Sequence, residues 1–157
     1  MAFSLRPEDL YHTGIVVPDL DAAMARLSAL AGYRWITPLR YTLPFRTATG
    51  TRELTSMVVY SLQSPHIELL KEVPGSPWTA APGNSVHHLG YFTDNLAETG
   101  QMLEHKGFTF EMTADVPGSD LALFAYYIDS FGTRIEIVDR ALFPDWPGFL
   151  QSQTADR

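Results

Sequence analysis

The sequence has no cysteine, which excludes disulfides, thiolate metal sites and a cysteine nucleophile. Nor does it have an apolar run near the roughly 18 residues that a membrane-spanning helix requires. The first ten residues carry Arg6, Glu8 and Asp9 and lack the apolar centre of a secretory leader, so the expected address is cytoplasmic. Positive charge is scarce: 11 Lys and Arg stand against 18 Asp and Glu, for a net charge of −7. That balance disfavours broad contact with a phosphate backbone, and neither nucleic acid nor a membrane is expected as a partner. No glycine-rich phosphate loop stands between a strand and a helix, and no serine occupies a G-x-S-x-G elbow.

What is present fits one domain spanning 1–157, a length at which a sizeable core forms without staples. Tyr11 to Val17 is a β-branched apolar run ended by Pro18, and reads as a strand. Asp19 or Asp21 can cap the next segment, in which Leu20, Ala23, Met24, Leu27 and Leu30 share a helical face that Gly32 terminates. Strands are expected over 33–41, 54–62 and 66–71, with Pro44 to Thr51 as a turn-rich loop. The Pro- and Gly-rich stretch 72–85 reads as a connector. After it come a strand over 86–93, a helix over 95–106, and strands over 108–113, 122–129 and 134–139. The tail 141–157 is expected to begin with one helical turn, to be stopped by Pro144 and Pro147, and to be loose from Gln151 onward.

The order of elements repeats. His12-Thr-Gly-Ile-Val-Val-Pro-Asp-Leu20 aligns with His88-Leu-Gly-Tyr-Phe-Thr-Asp-Asn-Leu96 at an offset of 88 − 12 = 76, and Leu27 and Leu103 keep that offset. His66-Ile-Glu68-Leu-Leu70 matches Arg134-Ile-Glu136-Ile-Val138 at 136 − 68 = 68. The fold class is therefore α+β: two tandem β-α-β-β-β modules, about 11–71 and 86–140, forming a curved, mixed but largely antiparallel sheet with helices outside. Strand alternation puts Ile67 and Leu69 on one face and Glu68 on the other, and likewise Ile135 and Ile137 against Glu136.

Taken alone, a strand Glu is ordinarily solvated and a lone His is ordinarily structural. At matching points of two like-folded halves, His12, Glu68, His88 and Glu136 point instead to one divalent ion, whose charge offsets the cost of burying two carboxylates. His87 points to the opposite face and reads as structural. His66 shares the Glu68 face, and His105 near a helix end reads as solvated. Trp35, Phe45, Tyr60, Trp78, Phe124 and Tyr126 are candidates to line a cavity, with strand core as the plainer role. Gly14 and Gly90, two residues after each His, offer close packing or clearance.

These stretches resemble the vicinal oxygen chelate superfamily, which includes glyoxalase I, methylmalonyl-CoA epimerase, extradiol dioxygenases and bleomycin- and fosfomycin-resistance proteins. The resemblance spans about Tyr11 to Arg140. It implies that His12, His88 and Glu136 are metal ligands and that Glu68 fills the fourth position, which favours the isomerase and lyase branch. It implies proton transfer next to the carbonyl of a small-molecule substrate, with Glu136 as the base and Glu68 as the alternative. Nickel, cobalt, zinc, manganese and iron(II) all suit such a ligand set. A convincing glutathione-clamping set is absent, with Arg40, Arg46, Arg52 and Lys71 as the candidate anion contacts. A homodimer is the expected assembly. The competing readings are a metal-free drug- or ligand-binding resistance protein and an iron(II) extradiol-type dioxygenase.

Overall fold

The computed structural model describes residues 5–154, and of Asn84 the backbone only. Its elements run β1 (Leu10–Val17), α1 (Leu20–Ala31), β2 (Leu39–Thr47), β3 (Gly50–Tyr60) and β4 (Ile67–Lys71). They continue with β5 (His88–Thr93), α2 (Leu96–His105), β6 (Thr109–Ala114), β7 (Phe124–Ile128), β8 (Arg134–Asp139) and α3 (Trp146–Ser152). The β-α-β-β-β order thus occurs twice, as the repeat predicts, and the fold is mixed α+β.

Both modules start their helix in the same way. The Asp19 carboxylate accepts from the Ala22 N–H at 2.9 Å, and the Asn95 side chain accepts from the Glu98 N–H at 3.0 Å. Gly32 then leaves α1 at φ +73°, a left-handed turn that a side chain would oppose.

The chain divides into two compact units. One comprises the described part of Met1–Tyr11 together with Thr42–Leu54 and His88–Pro144; the other comprises His12–Tyr41, Thr55–His87 and the described part of Asp145–Arg157. In the His12-bearing unit β4 is central, parallel to β1 and antiparallel to β3. Leu69 and Val59 lie side by side and wholly buried on one face, while Glu68 and Tyr60 lie side by side on the other, and α1 packs on β4. In the His88-bearing unit β8 is parallel to β5 and antiparallel to β7, which pairs with β6, which in turn pairs with β2. The β7 and β8 residues Ala125, Tyr127, Ile135 and Ile137 form a core with Leu103 of α2. This is the aliphatic face that alternation assigns to Ile135 and Ile137.

Four local expectations are corrected. Leu30 is 79% exposed, so the buried stripe of α1 ends a turn early, with Ser28 half-buried beside it. Residues 33–38 form no strand beyond an isolated bridge at Trp35. The stretch from Pro44 to Thr51 is mostly strand: β2 runs through Pro44 to Thr47, and β3 begins at Gly50. Pro44 is tolerated because its carbonyl does the pairing, accepting from the Asp115 N–H at 2.9 Å, and no donor is asked of its nitrogen. In the tail Pro147 does not stop a helix but sits in the first turn of α3, where its missing N–H is unused. Asp145 caps that helix through the Gly148 N–H at 3.1 Å, and order extends past Gln151.

Candidate functional site

Each unit carries one of the two His–Glu pairs. On the parallel β1·β4 ladder Gly14 lies beside Glu68, so His12, two residues before Gly14, faces the same side. Tyr60 flanks Glu68 from β3. His12 Nε2 is 3.4 Å from Glu68 Oε1, and the two side chains are 0% and 4% exposed. The His12 ring meets Tyr60 edge-on, with centroids 5.6 Å apart.

The second unit builds the same motif. Gly90 lies beside Glu136 on β5·β8, and Tyr126 flanks Glu136 from β7. His88 Nε2 is 3.5 Å from Glu136 Oε1, with side-chain exposures of 0% and 9%. The His88 ring lies 5.1 Å from that of Tyr126. In both cases a glycine beside the carboxylate leaves that position free of a side chain, which is the clearance reading of Gly14 and Gly90.

A divalent ion fits this chemistry. Buried carboxylates cost several kcal/mol each unless a cation offsets them. Two donors about 2.1 Å from a common ion lie about 3.0 Å apart at octahedral angles and about 3.4 Å apart at tetrahedral ones. The separations of 3.4 and 3.5 Å within the two pairs are close to the tetrahedral value. Imidazole nitrogen with carboxylate oxygen is a donor set for first-row divalent metals.

Asp9 and the remaining histidines are placed elsewhere. Asp9 accepts from Arg140 Nη2 at 2.8 Å. The Nε2 of His87 donates to the Pro77 carbonyl at 2.7 Å and its backbone N–H to Gly14 O at 2.8 Å, so His87 ties the connector to β1. Half-buried His66 donates from Nδ1 to the Ser61 carbonyl at 3.0 Å, and His105 ends α2 in solvent. Of the candidate anion contacts, Arg40, Arg52 and Lys71 are exposed. Arg46 donates to the Asp120 carbonyl and lies over the Phe110 ring at 4.7 Å.

Sequence reasoning placed Tyr60 and Tyr126 only among possible cavity-lining aromatics, whereas the register makes them a matched pair beside the two Glu residues. Their spacing hides this, because 68 − 60 = 8 and 136 − 126 = 10. Trp35 and Trp78 belong to the core: Trp35 donates to Ser28 Oγ at 3.0 Å, and Trp78 is 1% exposed.

A sequence model of the Glyoxalase/Bleomycin resistance protein/Dioxygenase superfamily matches residues 11–126. The chain belongs to that superfamily. The match includes His12, Glu68 and His88 and ends before β8, so Glu136 and α3 lie beyond it. No curated protein matches this superfamily member in sequence. Among solved structures, methylmalonyl-CoA epimerase from Mycobacterium tuberculosis is similar at 18% identity and TM-score 0.57, over 88% of this chain and 91% of that one. A variant of the Streptomyces coelicolor methylmalonyl-CoA epimerase, in complex with 2-nitronate-propionyl-CoA, is similar at 18% identity and TM-score 0.56, over 87% and 98%. A hypothetical protein from Bacillus halodurans also aligns at 18% identity and TM-score 0.56, over 83% and 92%. At this identity the likeness shows a shared fold. Among the described residues no helix is long and apolar enough to cross a membrane.

Proposed function

We propose that this superfamily member is a divalent-metal-dependent isomerase, epimerase or lyase that moves a proton on the carbon next to a carbonyl of a small-molecule substrate. The observation that carries the reading is the duplicated motif: in each unit a buried His and Glu meet through Nε2 and Oε1, beside a glycine and a tyrosine in the same register. His12, Glu68, His88 and Glu136 would together hold one ion of nickel, cobalt, zinc, manganese or iron(II). Such an ion, when bound, supplies Lewis-acid polarisation of the substrate carbonyl. Glu136 takes the proton from carbon and returns it, with Glu68 as the alternative base. The burial of both Glu side chains keeps competing water from the transferred proton. The reading includes a single working domain over residues 1–157, a homodimer and a cytoplasmic setting. The superfamily membership and the epimerase fold likeness support it, and they make CoA thioesters the first compounds to try, followed by hemithioacetals and other 2-oxo or 2-hydroxy carbonyl compounds.

The test is solvent-deuterium exchange with that panel, run on protein whose metal content has been measured. The expected result is about one divalent ion per chain and label at the carbon beside the carbonyl, abolished by chelator and restored by metal. Label that persists in chelator, or protein that takes up no divalent ion, overturns the proposal. Oxygen uptake with a catechol in place of exchange would move the assignment to a dioxygenase.

A further inference from the structure

The C-terminal helix lies on the Glu68 side of its sheet. His66 precedes Glu68 by two residues and therefore shares its face, and Tyr60 flanks Glu68 on that same face. Both touch Trp146, the first residue of α3. The Trp146 ring meets Tyr60 edge-on at 4.9 Å and 90°, and meets His66 at 5.8 Å and 87°. Trp146 is itself held in place. The Asp145 cap and Pro147 fix the start of the helix, Phe149 stacks on the indole at 5.7 Å, and Thr37 N–H donates to Gln153 O at 2.9 Å at the far end. Trp146 is 9% exposed and Leu150, one turn on, is 3% exposed, so α3 is docked rather than draped. Tyr60, met by Trp146, also meets the His12 ring, at 5.6 Å and 72°.

From this chain of contacts we infer that Trp146 is a positioning residue: through Tyr60 it fixes the His12 ring beside Glu68. The tail of the protein, distant in sequence from the ligand pair, thereby sets the geometry of that pair. A tyrosine with open space beside it could rotate away and let His12 follow. A tyrosine in ring contact with both an indole and an imidazole is restrained from doing so. Groups that orient metal ligands from behind commonly matter about 10–100-fold to metal affinity; Tyr60 stands in that place for His12, and Trp146 stands against Tyr60. The affinity part of this inference rests on the proposed metal; the orienting part does not.

Two measurements on Trp146→Leu and Trp146→Phe, each checked for folding by circular dichroism and thermal melting, test it. The first is Co(II) titration followed by visible absorption. Leu, without a ring edge to give Tyr60, should weaken Co(II) binding about 10-fold, and Phe should hold it within about 3-fold. The second is ring NMR of histidine-labelled, metal-free protein. The His12 ring signals should shift and broaden in Trp146→Leu and stay near wild type in Trp146→Phe, with His88 as the unmoved internal reference. Folded Trp146→Leu with unmoved His12 signals overturns the inference. Movement of those signals with unchanged Co(II) affinity overturns the affinity part, since the positioning would then serve no ligand. Wild-type protein that takes up no Co(II) counts against the metal reading, and the NMR comparison then decides the positioning role alone.

Discussion

The two His–Glu pairs are built alike at their centres and differently around them. Each has an imidazole one strand over from a carboxylate, a glycine beside that carboxylate and a tyrosine on its other flank. The tyrosines are then supported in different ways. Tyr60 is met by Trp146, a residue of the C-terminal helix, whereas Tyr126 is met at 5.3 Å by Phe124 of its own strand. Repetition therefore accounts for the groups that would do chemistry, while the surrounding contacts have diverged with whatever segment of chain was at hand. A duplicated motif of this kind keeps symmetric donors in an asymmetric setting, and under the proposed function that asymmetry is what would let one carboxylate act as base while the other remained a ligand.

The largest effect should come from breaking the symmetry of the donors. His12→Ala combined with Glu136→Ala takes one donor from each pair, and metal analysis should then show occupancy falling from about one ion per chain to background. Full retention would reject the four-ligand assignment. Single replacements sharpen the comparison. Glu136→Gln should lower metal-dependent proton exchange about 10²–10⁴-fold if Glu136 is the base, with a smaller loss for Glu68→Gln. The reverse order would exchange the two roles.

The centres of the pairs were legible in the sequence because two strong periodicities coincide there. The offset of 76 places His88 on His12, and strand alternation places each Glu opposite its aliphatic neighbours, so the site face follows from counting. The βαβββ order was legible for the same reason, helped by Asp19 and Asn95 as caps. Two of the corrections fall on prolines, whose meaning depends on position. Pro44 sits in a strand where only its carbonyl is needed, and Pro147 opens a helix it was expected to prevent. The Tyr60–Tyr126 equivalence was hidden by turns of different length, and the docking of Trp146 on Tyr60 joins residues 86 positions apart (146 − 60), which no local pattern encodes.

An inversion between the modules concerns packing. At the helix position where module one has Met24, module two has Gly100 (24 + 76), and at the strand position following the matched tyrosine, module one has buried Ser61 where module two has Tyr127. The large and small residues have changed places. In module two the exchange is tight: a Cβ on Gly100 would lie 2.5 Å from Tyr127 Oη and 3.0 Å from Leu121 Cδ1. Tyr127 is 2% exposed and its ring is rigid, so it has little room to yield. Gly100→Ala should gain up to about 1 kcal/mol in helix propensity yet lose about 1–3 kcal/mol to overpacking, for a net lowering of the thermal midpoint. Tyr127→Phe in the same protein removes the clashing oxygen and should restore part of the loss. A Gly100→Ala protein that melts above wild type would show that α2 is free to shift away from the sheet.

The smallest effect is electrostatic and again separates the modules. Just past the carboxylate strand of module one stands Glu72, whose Oε2 accepts from the Ala80 N–H at 3.1 Å and so secures the connector. At the matching place in module two (72 + 68) stands Arg140, which donates from Nη2 to Asp9 and from Nε to Asp94, each at 2.8 Å. Burial by itself would raise the Asp9 carboxyl. Hydrogen bonds from Arg140 and from the Arg6 N–H, with the charges of both arginines, outweigh burial and hold its pKa below the ordinary value. Stability from a carboxyl depressed on folding is fully present above its unfolded pKa near 4 and is lost as pH falls through the lower folded value. Arg140 is 39% exposed, so solvent screening limits the contribution to about 1 kcal/mol. Asp9→Asn should therefore melt lower than wild type at pH 7, with the gap closing as pH falls below about 4. A gap of the same size at pH 7 and pH 3 would mean that Asp9 acts through packing rather than charge, and the modules would then differ in shape alone.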